Sequence, residues 1–368
     1  MKKVFLVAGA RPNLMKVAPV YRASRKWEAI ECDIVYTGQH YDRVMSQVFF
    51  EDLDIPEPRF NMGKSTGTHA EQTGAIMIAF EKMCVEHKPD LVVVVGDVNS
   101  TLACSITARK LHIPVAHVEA GLRSGDTDMP EEINRMVTDS ISNLYFTTEE
   151  HGKANLLAEG RDPEKIFAVG NVMIDNLFYN VKRLGDEVTA KYLARPLKEK
   201  LGRYAFMTMH RPSNVDCREV LEGIVGALNS IAEKLPIIFP IHPRTAKMLE
   251  KFNINLSDNI HTLPPLAFRE SLYLWKDSQV VITDSGGLQE ETTALGVPCV
   301  TMRKNTERPC TVELGTNVLA GIDGDRIVLE VEKALGRAGL PAPVIPGWDG
   351  KAAERIWEKL AEYLNVDS

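Results

Sequence analysis

Short runs of branched apolar residues recur along the chain, separated by longer stretches of mixed polarity. A first series lies at 3–8, 32–37, 91–95, 115–118 and 144–147. A second follows Arg203, at 204–208, 236–241, 260–263, 280–283 and 298–302. Runs this short and continuously apolar read as strands buried on both faces. The stretches between them read as helices, and alternating strand and helix predicts parallel sheets flanked by helices. Two series predict an α/β protein of two doubly wound domains. The segment VVITDSGGLQEETTALGVPCVTM shows one unit in full. A strand at 280–283 stops at Asp284 or Ser285, either of which can cap a helix. Gly286 and Gly287 fill the first turn, Leu288, Thr292 and Leu295 recur near helical spacing, and Gly296 ends the helix before Pro298. Glycines at such a joint expose N–H groups at the positive end of the helix dipole, which suits a phosphate. A tight turn without a ligand fits the same letters.

Two further patterns bear on organisation. The segment 182–203 is charged and poor in branched residues, a candidate linker with some helix. The halves also begin alike, with VFLVA running into GARPN and YAFMTM into HRPSN. Ligands of doubly wound sheets sit past the carboxyl ends of the strands. Two such domains facing one another therefore make a central cleft.

Composition narrows the class. A chain of 368 residues is long for one core, so two domains are expected. A net charge of −7 and the lack of a long basic run argue against a nucleic-acid partner. The six cysteines are scattered without a C-x-x-C pair, which favours reduced thiols and a cytoplasmic setting. The histidines show no H-x-x-x-H or H-E-x-x-H spacing, so no metal site is expected. In MKKVFLVAGARP the apolar run meets Arg11 too soon for a signal peptide, and no run is long enough for a membrane span. GKST at 63–66 lacks both the leading strand and the upstream glycine of a P-loop.

Four predicted strand ends carry chemistry. VVVVGDVNST ends on Asp97, PVAHVEAGLRSGD on Glu119, MPEEINR holds Glu131 and Glu132, and TMHRPSN holds His210 and Arg211. Most have an ordinary alternative. Asp97 can cap the next helix, Pro130 with Glu131 and Glu132 makes an ordinary helix start, and either glutamate can pair with Arg135. Glu119, between Val118 and Ala120, fits no solvated face. Gathered in one cleft, such carboxylates shift one another's pKa and supply an acid and a base. Arg11, Lys16 and the turn of Ser285, Gly286 and Gly287 add positive potential for a diphosphate. The set reads as carboxylate chemistry beside a phosphate leaving group, without metal or redox cofactor.

These residues resemble the non-hydrolysing UDP-N-acetylglucosamine 2-epimerases. The matching segments run in the family's order from residue 9 to residue 309: GARPNLMKVAP, GDVNSTLA, HVEAGLRSGD, MPEEINR, GNVMID, MHRPSNVD, HPRT, DSGGLQEE and RKNTERP. The resemblance implies a glycosyltransferase-B-like fold of two Rossmann-like domains, here 1–181 and a UDP-binding 182–350, with the last helix (351–368) packing back on the first. It implies a cytoplasmic homodimer that interconverts UDP-GlcNAc and UDP-ManNAc, without cofactor, for cell-surface polysaccharide precursors. UDP is eliminated to leave a bound 2-acetamidoglucal and is then added back. Asp97, Glu119 and Glu131 are the implied acid and base groups, and His210 assists the diphosphate. Arg11, Lys16, Ser285, Gly286 and Gly287 would hold phosphates, Glu291 the ribose hydroxyls, and His242 would line the cleft. Gln39, His40 and Arg211 match part of an allosteric UDP-GlcNAc site found in some bacterial members. The chain departs from the family at Ala10 and Asn13, at 98–101, and in a shorter loop before Pro130. Alternatives are a hydrolysing 2-epimerase, which releases ManNAc and UDP, and a 2-epimerase of another UDP-acetamido sugar. A GT-B glycosyltransferase would need an acceptor, and a non-catalytic UDP-sugar sensor would not need the carboxylates.

Overall fold

The computed structural model describes residues 1–9, 11–38, 50, 53–63 and 67–366. Two parallel sheets organise them. The first runs β3-β2-β1-β4-β5-β6-β7 and the second β10-β9-β8-β11-β12-β13. The strands of the first are β1 Lys2–Ala8, β2 Ile30–Tyr36, β3 Phe60–Asn61, β4 Leu91–Val95, β5 Val115–Val118, β6 Leu144–Thr147 and β7 Ile166–Ala168. Those of the second are β8 Ala205–Thr208, β9 Ile237–Pro240, β10 Ile260–Leu263, β11 Val280–Thr283, β12 Cys299–Thr301 and β13 Asn317–Leu319. Each order reverses once, between β1 and β4 and between β8 and β11. At such a point neighbouring crossovers diverge to opposite faces and leave a crevice at the carboxyl edge.

The central strands follow from their composition. All five residues of β4, LVVVV, are buried, as a parallel strand covered on both faces must be. Phe5, Val7, Val92 and Val94 pack with Ala103 and Cys104 in one core, while Met207, Phe239, Val280 and Ile282 join another. Cys84, Cys104, Cys299 and Cys310 are buried, and burial pushes the Cys84 thiol up to about 12. Helix starts are equally local: Thr68 and Glu71 form a reciprocal capping box before the helix His69–His87. The sequence pattern misses β3, β7 and β13, which are two or three residues long and lie at sheet edges. Too few positions are present there to show a period, and edge pairing comes from the neighbouring strand.

The chain forms two compact units, Met1–Asn176 with Pro346–Ser368, and Leu177–Ile345. The first division falls inside the helix Val172–Lys182. The stretch read as a linker lies in the second unit and is docked there: Ala194 N donates to Glu270 Oε1 at 2.8 Å, and Lys198 pairs with Asp277 at 2.5 Å. Charge on such a segment marks ion pairing as readily as solvation, and pattern alone does not separate the two. Among the described residues no helix is long and apolar enough to cross a membrane.

Within the first unit the helix Ala352–Leu364 packs on the helix Arg11–Ser24. Trp357 is fully buried, and its Nε1 donates to Val20 O at 2.6 Å. Asp175 accepts from Ala352 N and Ala353 N at 3.1 and 2.7 Å, satisfying donors at that helix's start. Trp357→Ala empties a buried ring-sized volume and removes the Nε1 bond to Val20 O. It should destabilise the chain by about 3–5 kcal/mol, read from the shift of the urea transition.

Candidate active site

In the first unit, polar groups gather at the carboxyl ends of β4 and β5. Gly96, with φ +71°, turns the chain out of β4. A Cβ there would lie 3.3–3.4 Å from Lys16 Nζ, Asn13 Nδ2 and Glu119 Oε2, so three polar ends converge on this bare backbone. Asn13 Nδ2 donates to Val95 O at 3.2 Å. Glu119 follows β5 at φ +66°, a conformation that costs an L-residue about 1–2 kcal/mol. It is 3% exposed, and its Oε2 pairs with Lys16 Nζ. A buried carboxylate needs such a partner, because desolvating an unpaired charge costs far more than the strain.

Asp97 does not cap the next helix. The N-cap position belongs to Val98, and the Asp97 carboxylate pairs with Arg135 Nη2. The same guanidinium takes Glu132 through Nη1. Glu132 also accepts from Ser124 N at 3.0 Å and from Gly125 N at 3.1 Å, which shapes the loop before the helix Pro130–Ile141. Asn134 Nδ2 donates to Asp97 O at 2.9 Å and to Asn99 Oδ1 at 3.2 Å. The two adjacent glutamates thus differ in kind. Glu132 is buried in the scaffold, while Glu131, one residue earlier on the first turn, is exposed and available.

In the second unit the groups stand at β8 and β11, on either side of the reversal in strand order. Asp284 follows β11 with no exposure, and its Oδ2 accepts from His210 N at 2.9 Å and Arg211 N at 2.8 Å. Its Oδ1 lies 2.9 Å from His210 Nδ1. Burial pushes the Asp284 carboxyl up, but the His210 bond and the backbone donors outweigh this and hold it below the ordinary range. A carboxylate only accepts, so His210 Nδ1 carries the proton. The ring, 46% exposed, is left with Nε2 to meet a ligand. His242 stands beside it with ring centroids 5.8 Å apart and accepts from Arg244 N through Nδ1 at 3.2 Å. Burial, then the charge of His210, lowers its pKa. Thr208, His210, His242, Pro265, Ser285 and Leu288 are among the residues lining a cavity of about 250 Å³.

Ser285 occupies the N-cap position of the helix Gly286–Leu295 without a side-chain cap bond, so the N–H groups of that first turn are left for something else. A Cβ on Gly286 would come within 2.8 Å of Glu307 Oε1, whereas one on Gly287 would meet open space. Burial raises the Glu307 carboxyl, but its 2.7 Å bond to Arg303 and the Arg308 charge bring it down to about 2. Arg308 Nε also pairs with Glu290 at 2.8 Å. Glu291, further along the helix, is buried, and desolvation followed by Glu290 pushes its pKa up to about 8.

Against this geometry stand the likenesses to known proteins. A family model described as UDP-N-acetylglucosamine 2-epimerase matches residues 22–361. The UDP-N-acetylglucosamine 2-epimerase of Methanocaldococcus jannaschii is 43% identical over 362 residues, 96% of this chain and 97% of the relative. The chain belongs to the UDP-N-acetylglucosamine 2-epimerase family. A crystal structure of the M. jannaschii UDP-GlcNAc 2-epimerase in complex with UDP-GlcNAc and UDP matches with a TM-score of 0.84 at 42% identity, covering 98% of this chain and 100% of that one. The fold is accordingly glycosyltransferase-B-like, with two Rossmann-like sheets. Another relative is the Pseudomonas aeruginosa UDP-2,3-diacetamido-2,3-dideoxy-D-glucuronate 2-epimerase, 39% identical over 98% of this chain and 99% of its own.

Within this family member, Lys16, Asp97 and Glu119 come together at one sheet edge. His210, His242 and Ser285 line one cavity at the other. Lys16, expected on a phosphate, is held by Glu119. Gln39, His40 and the side chain of Arg11 lie outside the described residues. Of the two residues read from sequence as alternative helix caps, Ser285 takes the N-cap position and Asp284 instead orients His210. Arg135, read only as a partner for a glutamate, also holds Asp97. The signal for Asp284 was a carboxylate one step beyond a buried apolar strand, and for Arg135 its place one helical turn after Glu131 and Glu132.

The Glu291 carboxyl titrates well above its ordinary 4.5 in the folded chain, so the folded state favours the neutral acid. Its contribution to stability is whole below pH 4.5 and is lost as pH rises toward 8. Glu291→Gln should abolish this slope. Denaturation midpoints between about pH 5 and pH 9 should move in favour of the variant as pH rises, and parallel curves would refute the assignment.

Proposed function

We propose that this chain interconverts UDP-GlcNAc and UDP-ManNAc by eliminating UDP and adding it back, without hydrolysis. The observation that carries this reading is the pair of carboxylates at adjacent strand ends, Asp97 held by Arg135 and the strained, buried Glu119 held by Lys16. Family membership and the UDP-GlcNAc and UDP bound by the M. jannaschii enzyme support it.

The proton on sugar carbon 2 is not beside a carbonyl, so its direct removal is difficult. In the proposed route a carboxylate takes that proton while the carbon 1–oxygen bond breaks and UDP leaves with the electron pair. A carbon 1–carbon 2 double bond remains in bound 2-acetamidoglucal. Positive charge building at carbon 1 is stabilised by neighbouring carboxylates, as in glycosidases. UDP then returns to carbon 1 while a proton reaches carbon 2 from the opposite face, so no water is consumed. Inversion needs proton groups on both faces, which Asp97, Glu119 and the exposed Glu131 supply.

The nucleotide falls to the second unit in this reading. His210, oriented by Asp284, meets the diphosphate through Nε2, and the N–H groups at Ser285, Gly286 and Gly287 cradle it. Arg11 and Lys16 add positive charge, and His242 lines the cavity. Glu291, neutral at pH 7, both donates to and accepts from the ribose hydroxyls. We also read the chain as a cytoplasmic homodimer, acting without cofactor, that supplies cell-surface polysaccharide precursors.

Incubation with UDP-GlcNAc in heavy water, followed by proton NMR, tests the reaction. The expected result is UDP-ManNAc, deuterium at carbon 2 of both sugars and conserved UDP-sugar. Free ManNAc with stoichiometric UDP would instead mean hydrolysis. Inertness toward UDP-GlcNAc with turnover of a UDP-diacetamido-glucuronate would align the chain with its P. aeruginosa relative. Glu119→Gln should keep UDP affinity and lose about 10²–10⁴-fold in kcat. A variant near wild-type rate would remove Glu119 from the chemistry.

A further inference from the structure

His117 and Asp139 are fully buried, and the reaction outlined above does not use them. His117 Nε2 lies 2.8 Å from Gly96 O, and Nδ1 lies 2.7 Å from Asp139 Oδ1. A carbonyl oxygen only accepts, so Nε2 must carry a proton. Asp139 Oδ2 accepts from Gly121 N at 3.1 Å and faces Arg123 Nη1 at 2.8 Å. Burial raises the Asp139 carboxyl, but His117 and Arg123 together hold it below the ordinary range. It is therefore a carboxylate, which also only accepts, so Nδ1 carries a second proton. Either neutral tautomer would press two acceptors together in a fully buried site, at the cost of an unsatisfied group.

We propose that His117 is a buried imidazolium that, with Asp139, acts as the positioning pair for the catalytic carboxylates. One ring ties three elements together. Gly96 immediately precedes Asp97. His117 lies two residues before Glu119, and Gly121 two residues after it. Asp139 stands on the helix that carries Glu131 and Arg135. The left-handed backbone at Glu119 is thereby held from both sides: Val118 O accepts from Gly96 N at 3.0 Å, and Gly121 N is fixed by Asp139. The pair adds a side-chain tie across the ends of β4 and β5 to this backbone bond, and small displacements of reacting groups cost about 10²-fold in rate.

This inference rests on the epimerase reading for its turnover, but the charge of the ring is tested independently of any substrate. NMR of the full chain labelled with nitrogen-15 histidine should show a His117 ring with both nitrogens protonated. Asp139→Asn should remove one of those protons. His117→Gln, which keeps one donor and loses the charge, should lower kcat about 10²-fold while KM and UDP affinity stay nearly unchanged. Asp139→Asn should show the same kcat-against-KM split, and decides the matter if His117→Gln does not fold. A singly protonated His117 ring in the wild-type chain, or a folded variant of either residue with wild-type kcat, would overturn the proposal. Wild-type chain inert toward UDP-GlcNAc but with the doubly protonated ring would count against the substrate assignment, and the pair would stand.

Discussion

Parallel strands end on the same side of their sheet, and this constraint organises the polar groups of both candidate site regions. Continuously apolar strands such as β4 bury both faces and leave no room for a charged group until the strand stops. Asp97 and Glu119 are therefore presented on one edge of the first sheet, and His210 and Asp284 on one edge of the second. The reversal of strand order beside β1 and β8 opens that edge, because the helices on either side pack on opposite faces. Asp97, Glu119, His210 and Asp284 thus stand just past strand ends, whereas His117, inside β5, is paired with Asp139.

A second constraint follows from the first. Carboxylates brought this close to a dry core must be compensated. The first unit answers with partners from different elements: Lys16 from the helix after β1, Arg135 from the helix Pro130–Ile141, and Arg123 with His117 around Asp139. The second unit compensates Asp284 with backbone N–H groups and one imidazole. Among the first unit's singled-out carboxylates Glu131 stays exposed, while in the second unit Glu291 is buried beside another carboxylate, Glu290. These differences separate groups held as charges from one held as a neutral acid. They give otherwise similar residues distinct roles in the proposed reaction.

Much of this was legible in the chain. The long central strands, the βα joints and the residues at their ends follow from local apolar runs and from glycine, proline and capping residues, whose preferences act over a few positions. The motifs GDVNST, HVEAGLRSGD and DSGGLQEE placed Asp97, Glu119 and the phosphate-type turn from the order of residues alone. The edge strands escaped because two or three residues carry no period. The segment 182–203 was read as a linker because its hydrogen-bond and ion-pair partners, Glu270 and Asp277, lie some seventy to eighty positions away.

The sequence by itself determined the element types, the two doubly wound sheets and which residues stand at strand ends, since those depend on neighbours in the chain. Only the tertiary structure decided how each charge is used. Asp97 became a partner of Arg135 rather than a cap, Glu132 a scaffold group while its neighbour Glu131 stayed open, and Asp284 the holder of His210. The reason is electrostatic: a charge takes whichever partner lies nearest once water is removed, and that partner comes from a different strand or helix.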